Sequence, residues 1–438
     1  MIKLIAVFLF CFATVQAQNQ KIIQLDSLLQ SVEANQMAMG GFSIYVEGKE
    51  VYQKSFGFAN MSSQVKGDRS TKYRIGSITK TFTATVILQL VEEKKLSLNT
   101  MLSRYFPQIP NANRISIEAL LRHRSGLFNI TDAPDVSEWI QQPQTRKQML
   151  DRFVTHGTIF EPNERSEYAN TNFILLSYIA EEIENKSFAA IIATRIAQPL
   201  KLDRTAYGKE IKAQDNEALP YFFEDEKWVM ASETHLSGPM GAGALVSTPT
   251  QLNSFYEHLF NGTFISRTTL EQMKDQSTGM GMGLMDFPVM GLEGYGHFGG
   301  IDGFQSVAVY FPKKQMSLAI GLNGNKETVQ AILLPIFEIW FAEEAAAQNK
   351  ATIQLKPEDL RPYLNTYSGS EAPVSIVFSQ DDNVLIAQAT GQPAFRLVAM
   401  EKDVFNYLAI GLKFIFSNQG TELVVWQEGD KLFELIKE

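Results

Sequence analysis

Residues 73–84 read YRIGSITKTFTA, with Ser77 and Lys80 at the mouth of a long apolar run and Gly76 directly before the serine. A lysine this close to a hydrophobic core is costly unless its amine is needed there. On a helix the two side chains stand one turn apart on one face. In a first turn, free backbone N–H groups and the positive end of the dipole favour negative charge developing on the serine oxygen. A desolvated lysine sheds its proton more readily and can take one from the hydroxyl. Taken alone, the pair reads more simply as a serine that caps a helix and a lysine that reaches out to solvent. The rest of the chain has to decide.

From Ser77 to Leu96 the chain is apolar on most faces, with Phe82, Val86, Ile87, Leu90 and Val91 at three- and four-residue steps, which predicts a buried helix. Before it, KIIQLDSLLQSVEA (21–34) has helical spacing, and GGFSIYVEGKEVYQKSFGFAN (40–60) alternates as two strands joined at Glu47-Gly48. Residues 115–210 read as helices and loops. Strand character returns at GYGHFGGIDGFQSVAVYFPKKQMSLAIGLNG (294–324), turning at Pro312-Lys313-Lys314, and a closing helix follows over 328–347. Strands at both ends of a helical middle predict an antiparallel sheet assembled from the termini, with helices packed on it and a helical subdomain beside it.

The composition shifts near AAAQNKATIQLKP (345–357). Beyond it come short alternating runs such as VSIVFS, NVLIAQA, LKFIFS and TELVVWQ, broken at Asp381-Asp382-Asn383, Gly391-Gln392-Pro393 and Asn418-Gln419-Gly420. These predict a small all-β barrel or sandwich. The expected organisation is a leader over 1–17, an α+β domain over 18–345, a linker over 346–356 and a β domain over 357–438. The leader reading rests on MIKLIAVFLFCFATVQAQ, with Lys3, an apolar Leu4–Ala13 core and a small-residue Val15-Gln16-Ala17 site. That core is shorter than the roughly 20 residues that span a bilayer. The expectation is therefore cleavage after Ala17, no transmembrane anchor in the mature chain, and a secreted or periplasmic protein.

Composition excludes several classes. Of 438 residues, 45% are hydrophobic and 20% charged, as in ordinary globular proteins. Cys11, the single cysteine, falls in the leader, which leaves no disulfide, cysteine nucleophile or thiolate metal site. A net charge of −9 without a basic block argues against nucleic acid. The five histidines are scattered without metal-binding spacing, so no metal and no cofactor are expected.

Two further segments carry candidate chemistry. In PNERSEYANTNF (162–173), Tyr168 and Asn170 precede an apolar helix; a tyrosine beside a lysine can act as a base, and an asparagine can orient both the lysine and a substrate amide. The alternative is a buried tyrosine with a satisfied hydroxyl. In YGHFGGIDGF (295–304), His297, Gly299 and Gly300 open a strand on which a ligand could approach the backbone, with an N–H there joining that of Ser77 around an oxyanion. The alternative is a glycine-rich bend with an exposed histidine.

Taken in order, S-x-x-K, Y-x-N and a His-x-Gly strand resemble the serine β-lactamase and penicillin-binding protein family, in its class C-like branch. EALLRHRSGL (118–127), AQPLKLDRTAYG (197–208) and GAGALVSTPTQLNSF (241–255) resemble further stretches of that family. The likeness covers roughly residues 20–345, and the tail from about 355 resembles the lipocalin-like β domain appended to many members. The resemblance implies Ser77 as nucleophile, Lys80 as its proton partner, Tyr168 as general base and then acid, and Asn170 as the group positioning Lys80 and substrate. It also implies an oxyanion site from the N–H groups of Ser77 and Gly300.

Three departures stand out. His297-Phe298-Gly299 replaces the Lys-Thr-Gly of β-lactamases, exchanging a permanent charge for one that titrates near neutrality. This favours D-stereospecific peptidase or esterase chemistry over β-lactam hydrolysis, and predicts that affinity for acidic substrates falls as pH rises through the histidine pKa. Asn163 stands where glycine is usual, and Arg122 and Arg124 flank His123. The expected function is an exported serine hydrolase acting on a D-amino-acid-containing peptide, a β-lactam or an ester, with a small molecule or cell-wall peptide as partner. The competing expectation is a penicillin-binding or sensing protein that acylates without turnover. An α/β-hydrolase triad is disfavoured because no G-x-S-x-G occurs.

Overall fold

The computed structural model describes residues 2–342, 344, 353, 355–369, 372, 374–390, 394–407, 412–427 and 430–438. Most of the linker expected over 346–356, and the break at 391–393, lie outside the described residues. The chain divides into two compact units, Leu29–Asp286 with Gly294–Val329, and Met1–Leu28 with Phe287–Glu293 and Gln330–Glu438. The helix Ile2–Ala34 runs through the stretch read as a leader. Among the described residues no helix is long and apolar enough to cross a membrane.

The larger unit is built on the expected antiparallel sheet. Its order is Met285–Asp286, Tyr295–Ile301, Phe304–Phe311, Met316–Asn325, Ala38–Val46, Lys49–Phe56, so strands from opposite ends of the unit meet at its centre. Two-residue turns join two of its hairpins, and the 3-10 turn Pro312–Lys314 joins Phe304–Phe311 to Met316–Asn325. Glu47 and Gly48 have φ of 51° and 73°, and Asp302 and Gly303 have φ of 53° and 87°. Paired positive φ values match the twist of the flanking strands, which is why an x-Gly pair stands at each of these two corners.

The helix carrying Lys80 spans Thr79–Glu92 and is buried along most of its length. It stops short of the expected Leu96 because Lys94 turns left-handed (φ 58°) and the N–H groups of Lys95 and Leu96 both bond the Leu90 carbonyl. Phe82 stacks on Phe255 with ring centroids 3.7 Å apart. A fully buried side chain of this size contributes about 1.5–3 kcal/mol. The buried threonines of the helix are all partnered: Thr81 donates to the Gly283 carbonyl (2.7 Å), Thr83 to the Gly241 carbonyl (2.7 Å), and Thr79 accepts from the Leu245 N–H (3.2 Å). These bonds fix the helix axially as well as radially.

In the smaller unit, nine antiparallel strands form a nearly closed barrel in the order 395–396, 384–389, 376–381, 365–368, 430–437, 422–427, 412–417, 404–407, 398–401. The two edge strands, Phe395–Arg396 and Val398–Glu401, are consecutive in the chain and separated only by Leu397. One bent segment therefore supplies both edges, and the sheet curls to bring them together. Its interior is aromatic, with Tyr363, Tyr367, Phe378, Phe405, Phe414 and Phe416 buried and packed largely edge to face.

Candidate active site

Ser77 sits on a short 3-10 turn, Gly76–Ile78, that feeds directly into the lysine helix. The turn lies hard against the strand Tyr295–Ile301. A Cβ on Gly76 would come within 2.6 Å of the Gly300 nitrogen, and one on Gly299 within 2.0 Å of the Ile75 carbonyl oxygen. Gly76 also has φ +48°. Only glycine permits this approach. Ser306 Oγ adds a bond to the Ile75 carbonyl (2.9 Å).

Lys80 is fully buried. Its Nζ lies 2.9 Å from Ser77 Oγ, 2.7 Å from Asn170 Oδ1 and 2.8 Å from the Ala242 carbonyl. All three partners are uncharged, so nothing offsets the loss of water, and burial holds the amine well below its usual pKa. Tyr168 donates its hydroxyl to Ser77 Oγ at 2.7 Å. Burial pushes this phenol upward, and the bond to Ser77 opposes the shift only in part. Desolvation therefore favours the neutral form of both groups. The phenolate that a resting base at Tyr168 would require is disfavoured, and the available lone pair belongs to Lys80.

Asn170 opens the helix Asn170–Glu184. Its N–H and Nδ2 both donate to Asn129 Oδ1 (2.8 and 3.2 Å), and Nδ2 also donates to Thr131 Oγ1 (3.0 Å), which turns Oδ1 toward Lys80. Ahead of it, Asn163 adopts φ 70°, the left-handed conformation that asparagine tolerates in place of glycine. Arg124 bonds the loop's Asn163 carbonyl at 2.6 Å, and the Arg122 carbonyl accepts from Ser166 Oγ (2.8 Å) while its guanidinium bonds Glu118 and the Gln272 carbonyl.

His297 differs from its expectation. It is 2% exposed, its Nδ1 lies 2.6 Å from the carbonyl of the next residue, Phe298, and burial is the main cause that lowers its pKa to about 3. A buried neutral imidazole cannot be the titrating cation that reads a substrate carboxylate, so the expected loss of acidic-substrate affinity near neutral pH has no physical basis here. Gly299 differs too. It packs against Ile75 and Ser306, while Gly300 faces the cleft.

The cleft encloses about 550 Å³, its open mouth included. Ser77, Asn170, Thr131 and Thr234 supply its polar lining, Ile130, Trp139, Ile140, Pro239 and Ile301 much of the rest, and among the described residues no charged side chain lines it. Behind this wall lies Arg74, 1% exposed and ion-paired to both Asp302 and Glu233. It also donates to the Thr234 and Lys209 carbonyls (3.0 and 3.2 Å), while Asp302 Oδ1 accepts from the Thr234 N–H (3.0 Å). One guanidinium thus joins the segment bearing Ser77, the turn after Gly300 and the loop bearing Thr234. Sequence reasoning missed Arg74, although a charge three residues before the serine in an apolar stretch was a usable signal. It could not have found the Ala242 carbonyl, which carries no side-chain mark.

This geometry and fold define a class, and comparison with known proteins bears it out: the chain belongs to the β-lactamase family, whose model matches residues 25–337. A teichoic acid D-alanine hydrolase from Staphylococcus aureus is 28% identical over 236 residues, 54% of this chain and 57% of that protein. The chain thus spans a little over half the length of the curated relatives it matches. A D-amino acid amidase from Ochrobactrum anthropi SV3, solved with L-phenylalanine amide, aligns with a TM-score of 0.65 and 25% identity over 74% of this chain and 99% of the other. An octameric penicillin-binding protein homologue from Pyrococcus abyssi shares the fold over 94% of this chain and 99% of that one, with a TM-score of 0.63 and 22% identity.

Proposed function

We propose that this chain is an exported serine hydrolase that forms an acyl-enzyme on Ser77 and acts on esters, amides or peptides of D-amino acids. The observation carrying the reading is the convergence of Lys80 Nζ and Tyr168 OH on Ser77 Oγ, at 2.9 and 2.7 Å. The relatives named for D-alanine and D-amino-acid amide hydrolysis support the substrate class. An uncharged cleft lining supports neutral acyl donors over those bearing a carboxylate. The leader over 1–17, hydrolase domain over 18–345, linker over 346–356 and β domain over 357–438 belong to the same proposal.

In the mechanism, Ser77 Oγ adds to the substrate carbonyl while its proton passes to the neutral amine of Lys80. The carbonyl oxygen becomes an oxyanion held by the N–H groups of Ser77 and Gly300. As the tetrahedral adduct collapses, the bond to the leaving group breaks and the Tyr168 phenol protonates that group. Lys80 then returns a proton to Tyr168. Water repeats these transfers in reverse roles, releasing the acid and restoring the serine hydroxyl. Asn170 holds Lys80 in place, and no cofactor enters.

The test is covalent labelling of the mature protein with a fluorophosphonate and a fluorescent penicillin, followed by turnover of a D-amino-acid amide, a D-Ala-D-Ala peptide, a chromogenic cephalosporin and a nitrophenyl ester. Labelling on Ser77, lost in Ser77→Ala, with release of product from the D-amino-acid substrates is the expected result. Equal labelling of the variant refutes the mechanism. A stable adduct without product would show an acylating sensor instead.

A further inference from the structure

Tyr168 stands on irregular backbone, in the loop ahead of the helix Asn170–Glu184. Irregular backbone does not hold a reacting hydroxyl in place by itself, so the loop needs an anchor. His123 contacts it at three points. The His123 carbonyl accepts from the Glu167 N–H (2.8 Å), its Nδ1 accepts from the Ala169 N–H (3.1 Å), and its ring stacks on the Tyr168 ring, centroids 4.6 Å apart. Main-chain bonds therefore bracket Tyr168 on both sides while an aromatic face fixes its ring.

The tautomer follows from the same contacts. Asn172 Oδ1 accepts from Ser125 Oγ at 2.5 Å, so its Nδ2 is turned to the imidazole, 3.2 Å from Nδ1. Two N–H donors on Nδ1 leave the ring proton on Nε2. His123 is 3% exposed, and its own backbone is left-handed at φ 56°. Lys80, Tyr168 and His297 are the titratable groups facing it, and none is an acid that would favour the imidazolium. Burial holds its pKa well below the usual histidine value.

We propose that His123 is the positioning residue for Tyr168, an Nδ1 acceptor and stacking plate that aims the phenol at Ser77 Oγ and thence at the leaving group. The proposal rests on the reading of Ser77, Lys80 and Tyr168 given above. Its distinguishing consequence concerns the leaving group. Nitrophenolate departs without a proton, whereas an amide nitrogen needs one, and general acid catalysis of that kind is worth about 10²–10⁴-fold. A misaimed phenol therefore harms amide turnover far more than ester turnover.

Two variants separate the contacts. His123→Phe keeps a stacking ring and removes the acceptor; His123→Asn keeps an acceptor near the Nδ1 position and removes the ring. For each, the single-turnover acylation rate on a D-amino-acid amide should fall by at least about tenfold more than that on a nitrophenyl ester, with substrate affinity changing by less than about threefold. Equal losses on the two substrates overturn the positioning role. Should neither variant fold, nitrogen NMR of the histidine-labelled wild type decides: Nε2–H with no titration near pH 6.5 supports the proposal, and Nδ1–H or an ordinary titration refutes it. Wild type that fails to label at Ser77 overturns the proposed function and this role with it. Wild type that labels, with equal variant losses, overturns only the role of His123.

Discussion

The buried interiors of the two units are made of different materials. Around Lys80 and Tyr168 the core is polar, and each buried group is tied to specific partners over short distances. In the barrel the core is a cluster of aromatic rings such as Phe378 and Phe416, 5.2 Å apart at their centroids, that need only volume and contact. A polar core is sensitive to which atom is present, because an unpaired buried group costs the full desolvation penalty. An aromatic core is sensitive to how much volume is present. Single substitutions should therefore damage chemistry in the first region and stability in the second.

The largest expected effect comes from Lys80→Met, which keeps length and apolarity and removes the proton acceptor. Acylation of Ser77 should slow by about 10³-fold or more while melting stays near wild type, since burying that amine is itself unfavourable. Stopped-flow labelling checks both parts; a loss under tenfold would move the acceptor role to another group.

Gly299→Ala comes next. Its new methyl must displace the Ile75 carbonyl, 2.0 Å from the ideal Cβ position, and with it the turn bearing Ser77. A drop in kcat of about 10²-fold with a smaller change in KM is expected, on the scale of losing one oxyanion donor. Unchanged kinetics would mean that the turn shifts freely.

Phe416→Ala in the barrel tests the other side of the contrast. It should cost about 3–5 kcal/mol of unfolding free energy in the barrel, read by urea denaturation. Turnover at 25 °C should stay within about twofold of wild type, since additivity holds for independent sites. A matching loss of kcat would erase the distinction between the two cores.

The smallest effect is in acid. His297 holds a pKa of about 3 when folded, against an unfolded value of 6.5. Between those values the unfolded chain binds a proton that the folded chain does not, so stability rises with pH through that window and levels off above it. Wild type should lose melting temperature on going from pH 7 to pH 4.5, and His297→Gln should lose less. His123 shifts in the same direction and keeps part of the effect. Identical pH slopes for the two proteins would mean that His297 is not buried neutral in solution.

Much of this arrangement was legible in the sequence because reactive side chains announce themselves by type and order. Ser77, Lys80, Tyr168 and Asn170, singled out from their motifs, lie in one hydrogen-bonded cluster, and the alternating runs on both sides of the helical middle form the expected sheet. The strand ends were visible at Glu47-Gly48 and at Pro312-Lys313-Lys314. What stayed hidden was set by tertiary burial. The charge of His297 depends on the walls around it, which lie far away in sequence. The charge states of Tyr168 and Lys80 follow from lost water, which no motif encodes. Arg74 looked like an ordinary charge until Asp302 and Glu233 came to meet it from more than 150 positions away. Barrel closure through Leu397 was equally unreadable, because two alternating runs give no hint that they form opposite edges.

The glycine contacts between residues 76 and 300 carry one more consequence. The spacing between the serine turn and its facing strand is set by main-chain atoms in van der Waals contact, with no rotamer between them. Such a joint has no intermediate settings. Sequence drift elsewhere can tune which molecules enter, but at this seam a single added side chain should cost activity in one large step, as at Gly299, and not in small increments.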